Sequence, residues 1–140
     1  MPSRITVNDE CIDAFTKLQK KEYKYVIFVL TDVNPASAEY IVDQTGGADA
    51  HYIDFTAELL SDDCRFAAIN FAYTTDDGEE RSKIGFLGWL PGGADETQRT
   101  IYLESRPALH SLLPGIEFEV EAYDTEGFEF DAVREKVARK

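Results

Sequence analysis

Two apolar stretches, Arg65 to Tyr73 and Lys83 to Trp89, flank a loop containing Asp76-Asp77-Gly78, and they constrain this chain more than any other feature. Their Phe, Ile, Leu and Tyr content suits strands, and the Asp-Gly step suits the loop of a hairpin. Both strands are too apolar for an exposed sheet edge, so the hairpin belongs inside a sheet. The rest of the chain has to supply flanking strands and covering layers.

Those parts are legible in order. Cys11, Ile12, Ala14, Phe15 and Leu18 recur at three- and four-residue intervals, which predicts an amphipathic helix from about Asn8, its cap, to Lys20. Tyr25 to Leu30 reads as a strand, Thr31 to Ser37 as a turn, and Glu39 to Asp43 as the returning strand. Gly46 and Gly47 break the pattern before a short helix marked by Tyr52, Phe55 and Leu59 that stops near Leu60, with Asp62 and Asp63 in its exit loop. After Trp89, Pro91-Gly92-Gly93 releases the chain into a helix from about Asp95 to Glu104. A break is expected near Ser105, which would cap a new helix with Pro107 in its first turn and Ala108, Leu109, Leu112 and Leu113 as its apolar stripe. Pro114-Gly115 ends that piece ahead of a fifth strand, Glu117 to Ala122, with Phe118, Val120 and Ala122 facing inward. Phe130, Val133 and Val137 mark a C-terminal helix. The expected fold is α+β: a central mixed five-stranded sheet flanked by helices on both faces, in a single domain spanning 1–140.

Charge narrows the function. With 14 Lys+Arg against 27 Asp+Glu the net charge is −13, which opposes general affinity for nucleic acid or anionic membranes. Charges more than about 10 Å apart are screened at physiological salt, so a local basic patch would have to carry any binding to an acidic partner. Cys11 and Cys64 form no metal-ligand pattern and suit two reduced, semi-buried thiols. No stretch approaches the length of a membrane span or a secretory core, and a soluble cytoplasmic monomer is the expectation.

Catalysis finds no support in the residues. His51 and His110 are the only histidines, and no GxSxG, HExxH, P-loop or GxGxxG segment accompanies them. The acidic pairs Asp62-Asp63, Asp76-Asp77 and Glu79-Glu80 suit hydrated loops, and Asp76 to Glu80 lacks the ligand spacing of a calcium loop. No catalytic residue, metal site or cofactor is expected. The cations, by contrast, collect in places: Arg4 in the N-terminal arm, Arg81 and Lys83 opening the fourth strand, Arg99 on the helix after Trp89, and Lys136, Arg139 and Lys140 at the end. On composition alone these are solvated charges.

A series of segments gives them another meaning. Ser3 with Val7 and the helix to Phe15, Tyr25-Val26-Ile27-Phe28, and Asp63-Cys64-Arg65-Phe66-Ala67 running into Phe71 and Tyr73 come first. Arg81-Ser82-Lys83-Ile84, Trp89-Leu90-Pro91, Ile101-Tyr102 and Ser105-Arg106 follow. In order and spacing this resembles the actin-depolymerising factor/cofilin family from Ser3 to Arg139.

The resemblance implies an actin-binding protein that engages monomers and filaments and severs and depolymerises filaments, without catalysis. It implies a contact shared by monomer and filament at Ser3, Arg4, Gln98, Arg99, Thr100 and Ile101. A second contact, used mainly on the filament, would involve Arg81, Lys83, Glu135, Lys136 and Arg139. Ser3 matches the family's inhibitory phosphorylation position, where a phosphate would add about −1.5 to −2 charges to a surface that seeks acidic partners. Departures matter too. Thr97 and Thr100 stand where the family usually has a basic residue and a Met, and His110 and Ser111 stand where basic residues are frequent, so phosphoinositide binding is expected to be weak. These departures raise an alternative, a monomer-sequestering or nucleotide-exchange-modulating relative with little severing. A non-actin scaffold and a small His-dependent enzyme are the remaining alternatives.

Overall fold

Apolar residues occupy both parities of the central hairpin because both faces of its sheet are covered. The computed structural model describes residues 5–32, 38–59 and 63–138. Its elements run β1 (Thr6–Val7), α1 (Asp9–Gln19), β2 (Tyr23–Leu30), β3 (Glu39–Gly47), α2 (Tyr52–Glu58), β4 (Arg65–Thr74) and β5 (Glu80–Trp89). Next come α3 (Glu96–His110), β6 (Phe118–Ala122), a 3-10 turn (Thr125–Phe128) and α4 (Phe130–Ala138). The sheet order is β1-β3-β2-β4-β5-β6. β4 and β5 pair antiparallel from Arg65↔Trp89 to Thr74↔Glu80, inside the sheet as their composition requires. β1 and β6 lie parallel to β3 and β5, making the sheet mixed. All five expected strands are present, and the two-residue β1 adds a sixth at the edge beside β3.

Successive strand residues point to opposite faces, and two cores result. Val26, Phe28, Phe66, Ala68 and Phe86 pack with Phe15 and Leu18 of α1 and Ile101, Tyr102 and Leu109 of α3. Ile27, Ala67, Ile69, Phe71 and Leu87 pack on the other side with Phe55 of α2 and Val133 and Val137 of α4, joined by Phe118, Val120 and Ala122 of β6. Thus α3 and α4 cover opposite faces of one sheet. Asn8 caps α1 through its side chain, which accepts from Glu10 N at 2.9 Å.

Two local expectations need correction. Gly46 and Gly47 do not follow β3 as a break but are its last two residues, opposite Tyr25 and Tyr23. A Cβ on Gly46 would fall 2.2 Å from the Tyr25 ring, so glycine here gives an aromatic room on the sheet and is no breaker. The break at Ser105 is absent: α3 is continuous from Glu96 to His110 with Pro107 inside it. Ser105 is buried, and its hydroxyl donates back to Ile101 O at 2.6 Å, the i−4 carbonyl of an ongoing helix. Pro107 removes only the donor that would reach Leu103 O, and Leu103 is on the exposed side, where water can replace that donor. Leu60, Asp62 and most of the expected Thr31 to Ser37 turn lie outside the described residues.

Gly85 of β5 shows how tightly the parallel β5–β6 pair is packed, since a Cβ there would sit 2.2 Å from the Phe118 ring. Overpacking of this kind costs about 1–3 kcal/mol. Gly85→Ala is therefore expected to lower stability by that amount, read as a lower urea midpoint at unchanged m-value, and an unaltered midpoint would contradict the packing.

Candidate functional site

The site is built on α3, and its inner face decides what its outer face presents. Asp95 caps the helix by accepting from Thr97 N at 3.0 Å. Tyr102 reaches from the buried face to the end of β2, where its hydroxyl accepts the Leu30 N–H at 2.9 Å. Ser105 gives its single proton to Ile101 O, so the buried contact of 2.6 Å between Tyr40 Oη and Ser105 Oγ has the phenol as donor. Burial pushes the hydroxyls of Tyr40 and Tyr102 above their ordinary range, which keeps both protonated. Near the start of α3, Gln98 Oε1 accepts from Cys64 N at 2.9 Å and Gln98 Nε2 lies 3.4 Å from Asp63 Oδ1. Helix, β2, β3 and the segment entering β4 are thereby fixed to one another.

Of the residues expected in the shared contact, Ile101 is only 4% exposed and belongs to the core beneath the helix. Gln98 is half-buried and occupied by residues 63 and 64. Both support the face from behind. Arg99 is half-buried and Thr100 is exposed, while Leu103, three and four residues further on, is 47% exposed beside them. Ser3 and Arg4 lie outside the described residues, but Ile5 is buried in the same core as Ile101 and Tyr102, and β1 packs beside α3.

Electrostatics separates the two halves of α3. Arg106 forms ion pairs with Glu119 and, at 3.7 Å, with Glu121 of β6, and His110 Nε2 lies 3.1 Å from Glu119 Oε2. Among the described residues no carboxylate pairs with Arg99, and its Nε is buried without a hydrogen-bond partner. Its charge is felt at Cys64. Burial pushes that thiol up to about 11, with Arg99 the strongest opposing influence. His51 is an exposed residue at the start of α2, where its N–H donates to Asp54 Oδ2 at 2.9 Å.

Of the residues expected to meet the filament, Arg81, Lys83, Glu135 and Lys136 lie on the α4 side of the sheet, opposite α3. Arg81 and Lys83 stand across β4 from Tyr73 and Phe71, whose rings pack in the α4-covered core. Paired residues of antiparallel strands point the same way, so both cations emerge on the α4 side. Glu135 and Lys136 are exposed on α4 itself, and Arg139 lies outside the described residues. Arg81 Nη2 is 2.8 Å from Glu79 Oε2, a pair exposed on both sides. A groove of about 370 Å³ between the hairpin and α4 is lined by Tyr73, Arg81, Phe130 and Arg134 among others.

Two residues of these surfaces were not singled out from sequence. Leu103 carried a signal, being an apolar residue off the stripe of Ile101, Tyr102, Ser105 and Leu109. Arg134 carried none, because its partner Thr74 is 60 residues away. No group of three His, Cys, Asp or Glu among the described residues is placed to hold a metal ion, and no helix is long and apolar enough to cross a membrane.

The fold recurs in solved proteins. The crystal structure of Streptomyces griseoflavus cofilin matches with a TM-score of 0.87 and 30% identity, over 96% of this chain and 98% of that one. Plasmodium berghei actin depolymerization factor 2 shares the fold at a TM-score of 0.85 and 23% identity, with both chains covered in full at 100%. The architecture is that of an actin-depolymerising-factor domain. Residues 4–138 match the family model described as cofilin/tropomyosin-type actin-binding protein, and the chain belongs to that family. Among its relatives are the cofilin of Mycosarcoma maydis, 36% identical over 99% of this chain and 98% of that protein, and the actophorin of Acanthamoeba castellanii, 33% identical over 98% and 97%.

Both thiols are shielded. Burial, with Glu10 and Glu39 adding to it, pushes Cys11 from 9.0 up to about 12, and Cys64 moves from 9.0 to about 11. Folding thus favours the neutral thiols. Their contribution to stability is intact below pH 9 and declines as the pH rises toward these folded-state values, because the unfolded chain ionises first. A thiol-specific reagent at pH about 8 is expected to leave both cysteines unmodified in the folded protein and to modify both in urea; prompt labelling of the folded protein would contradict their burial.

Proposed function

We propose that this protein binds actin monomers and filaments, and that it severs and depolymerises filaments by binding alone, with no covalent step and no cofactor. The observation that carries the reading is the state of Arg99, a cation on a fixed helix that no described carboxylate neutralises, in a chain of net charge −13. An acidic protein places abundant carboxylates around its cations, and Arg65, Arg81, Arg106 and Arg134 are all paired. An arginine left over on the surface of such a body suits a carboxylate on another molecule, with which it can form charge-assisted hydrogen bonds.

Around Arg99 the proposed shared face comprises Thr100 and the exposed Leu103, backed by Gln98 and Ile101. Leu103 supplies apolar contact where Thr100 supplies none. Ser3 and Arg4 belong to the same face in this proposal, entering the fold at the buried Ile5, and phosphorylation of Ser3 would oppose docking on carboxylates. Arg81, Lys83, Glu135, Lys136 and Arg139 form the filament-only face. Two faces on opposite sides of one sheet can engage two filament subunits at once. A ligand that binds one filament twist more tightly than another shifts the twist by that difference in affinity, and strained boundaries between decorated and bare stretches break.

The proposal includes a single domain over 1–140, a monomeric state, and location in the cytoplasm with the actin cytoskeleton. Phosphoinositide binding is weak in this reading, since the net charge is negative and His110 is already engaged by Glu119. A second reading, monomer sequestration or modulation of nucleotide exchange with little severing, is favoured by Thr97 and Thr100, both exposed beside Asp95 and Glu96. Neither threonine brings charge or much apolar surface to the contact.

Filament co-sedimentation with severing followed by microscopy decides between the two readings. Bound and cut filaments support the first, and binding to monomer alone supports the second. Arg99→Ala is expected to cost about 1–3 kcal/mol in affinity for monomer and filament alike. Arg81→Ala and Lys83→Ala should weaken filament binding only. Full affinity for both forms in Arg99→Ala would remove the proposed face.

A further inference from the structure

The tip of the β4–β5 hairpin is held largely by its own bonds. Thr75 N–H donates to Glu79 O at 2.8 Å, Gly78 N–H to Thr75 O at 2.9 Å, and Glu79 N–H to Thr75 Oγ1 at 3.1 Å. Residues 76–82 are all exposed, so little packing restrains this end of the hairpin. From α4, Arg134 crosses to it. Arg134 Nε and Nη2 both donate to Thr74 O, at 3.1 and 2.7 Å, and Nη2 also lies 3.4 Å from Asp76 Oδ1.

Two N–H groups of one planar guanidinium converging on one carbonyl fix direction as well as distance. Thr74 is the last residue of β4, paired with Glu80, and the next pair is Tyr73 with Arg81. The tie therefore meets the hairpin one rung from a cation of the proposed filament face, while Glu135 and Lys136 of that face follow Arg134 directly in α4. Asp76 contributes little to the tie, because its side chain is fully exposed and an exposed ion pair is screened. The carbonyl contact is the one that matters.

We infer that Arg134 is a positioning residue: it ties the β4–β5 hairpin to α4, so that Arg81 and Lys83 stand at a fixed spacing from Glu135 and Lys136 when they meet a filament. This rests on the reading of those four residues as a filament contact. Arg134 itself touches no partner in this scheme. Its contribution is that α4 and the exposed end of the hairpin, which lies beyond the core shared by Phe71, Tyr73 and Val133, arrive preorganised, and ordering them during docking is no longer a cost of binding.

The test compares Arg134→Ala, Arg134→Lys and Asp76→Asn with the unaltered protein by amide exchange of the free protein, co-sedimentation with actin filaments, and affinity for actin monomer. In Arg134→Ala the amides of Thr75, Gly78 and Glu79 should exchange faster, and filament affinity should fall about tenfold, the scale of one charge-assisted contact. Monomer affinity should stay within about twofold, Arg134→Lys should recover part of the loss, and Asp76→Asn should resemble the unaltered protein. Unchanged exchange in Arg134→Ala overturns the inference whatever the filaments do, as does a loosened hairpin with undiminished filament affinity. Equal losses toward monomer and filament that follow a fall in Tm overturn it as well, since they would make Arg134 a stabilising residue only. If the unaltered protein binds no filament while Arg134→Ala still loosens the hairpin, the underlying reading of the face has failed and the inferred role falls with it; the exchange data tell that case from failure of the tie.

Discussion

Burial of three hydroxyl groups between α3 and the sheet governs the rest of this structure. Tyr40 donates to Ser105, Ser105 to Ile101 O, and Tyr102 receives the Leu30 amide, all within a core whose other members are apolar. Hydrophobic packing alone fixes that a helix lies on a sheet but leaves its rotation and sliding loosely determined. Directional bonds inside a low-dielectric core remove that freedom, because a mismatch would strand buried polar groups at a cost of about 1–3 kcal/mol each. With the helix so fixed, Thr100 and Leu103 face outward with Arg99 half-buried beside them, and Ile101 and Gln98 turn toward the body.

The same body sorts its charges. Most of the described arginines are matched internally: Arg65 with Asp43, Arg81 with Glu79, Arg106 with Glu119 and Glu121, Arg134 with Thr74 O and Asp76. Those that bridge two elements hold them together and leave no cation over for a partner. Arg99, Lys83 and Lys136 have no ion pair among the described residues, and they fall on opposite faces of the sheet, one on α3 and two beside or on α4. A protein of high negative charge thus carries unpaired cations on both faces of its sheet, the α3 and α4 groups held apart by the thickness of the sheet and its helices.

Much of this was legible in the sequence where the cause was local. The β4–β5 hairpin follows from two apolar runs around an Asp-Gly loop, and the inward residues of β6 follow from simple alternation of Phe118, Val120 and Ala122. What escaped had its cause far along the chain. Ser105 reads as a cap until Tyr40, 65 residues away, is seen to need its oxygen. Gly46 reads as a breaker until the Tyr25 ring is placed over it. β1 is two residues long and exists because β3 offers it an edge, which no periodicity could announce. For the candidate faces, residue type and family resemblance found the cations, but burial alone separates Ile101 from Leu103, and only the fold brings Arg134 to Thr74.

In the proposed function one body carries two separate docking faces, one on α3 and one shared by the hairpin and α4. Hydrogen exchange of the chain in complex with monomeric and with filamentous actin tests it most directly. Protection along α3 around Arg99 to Leu103 in both complexes, with added protection around Arg81 to Lys83 and the end of α4 on filaments alone, is the predicted result. Protection confined to other surfaces, or no difference between the monomer and filament complexes at the hairpin, would contradict it.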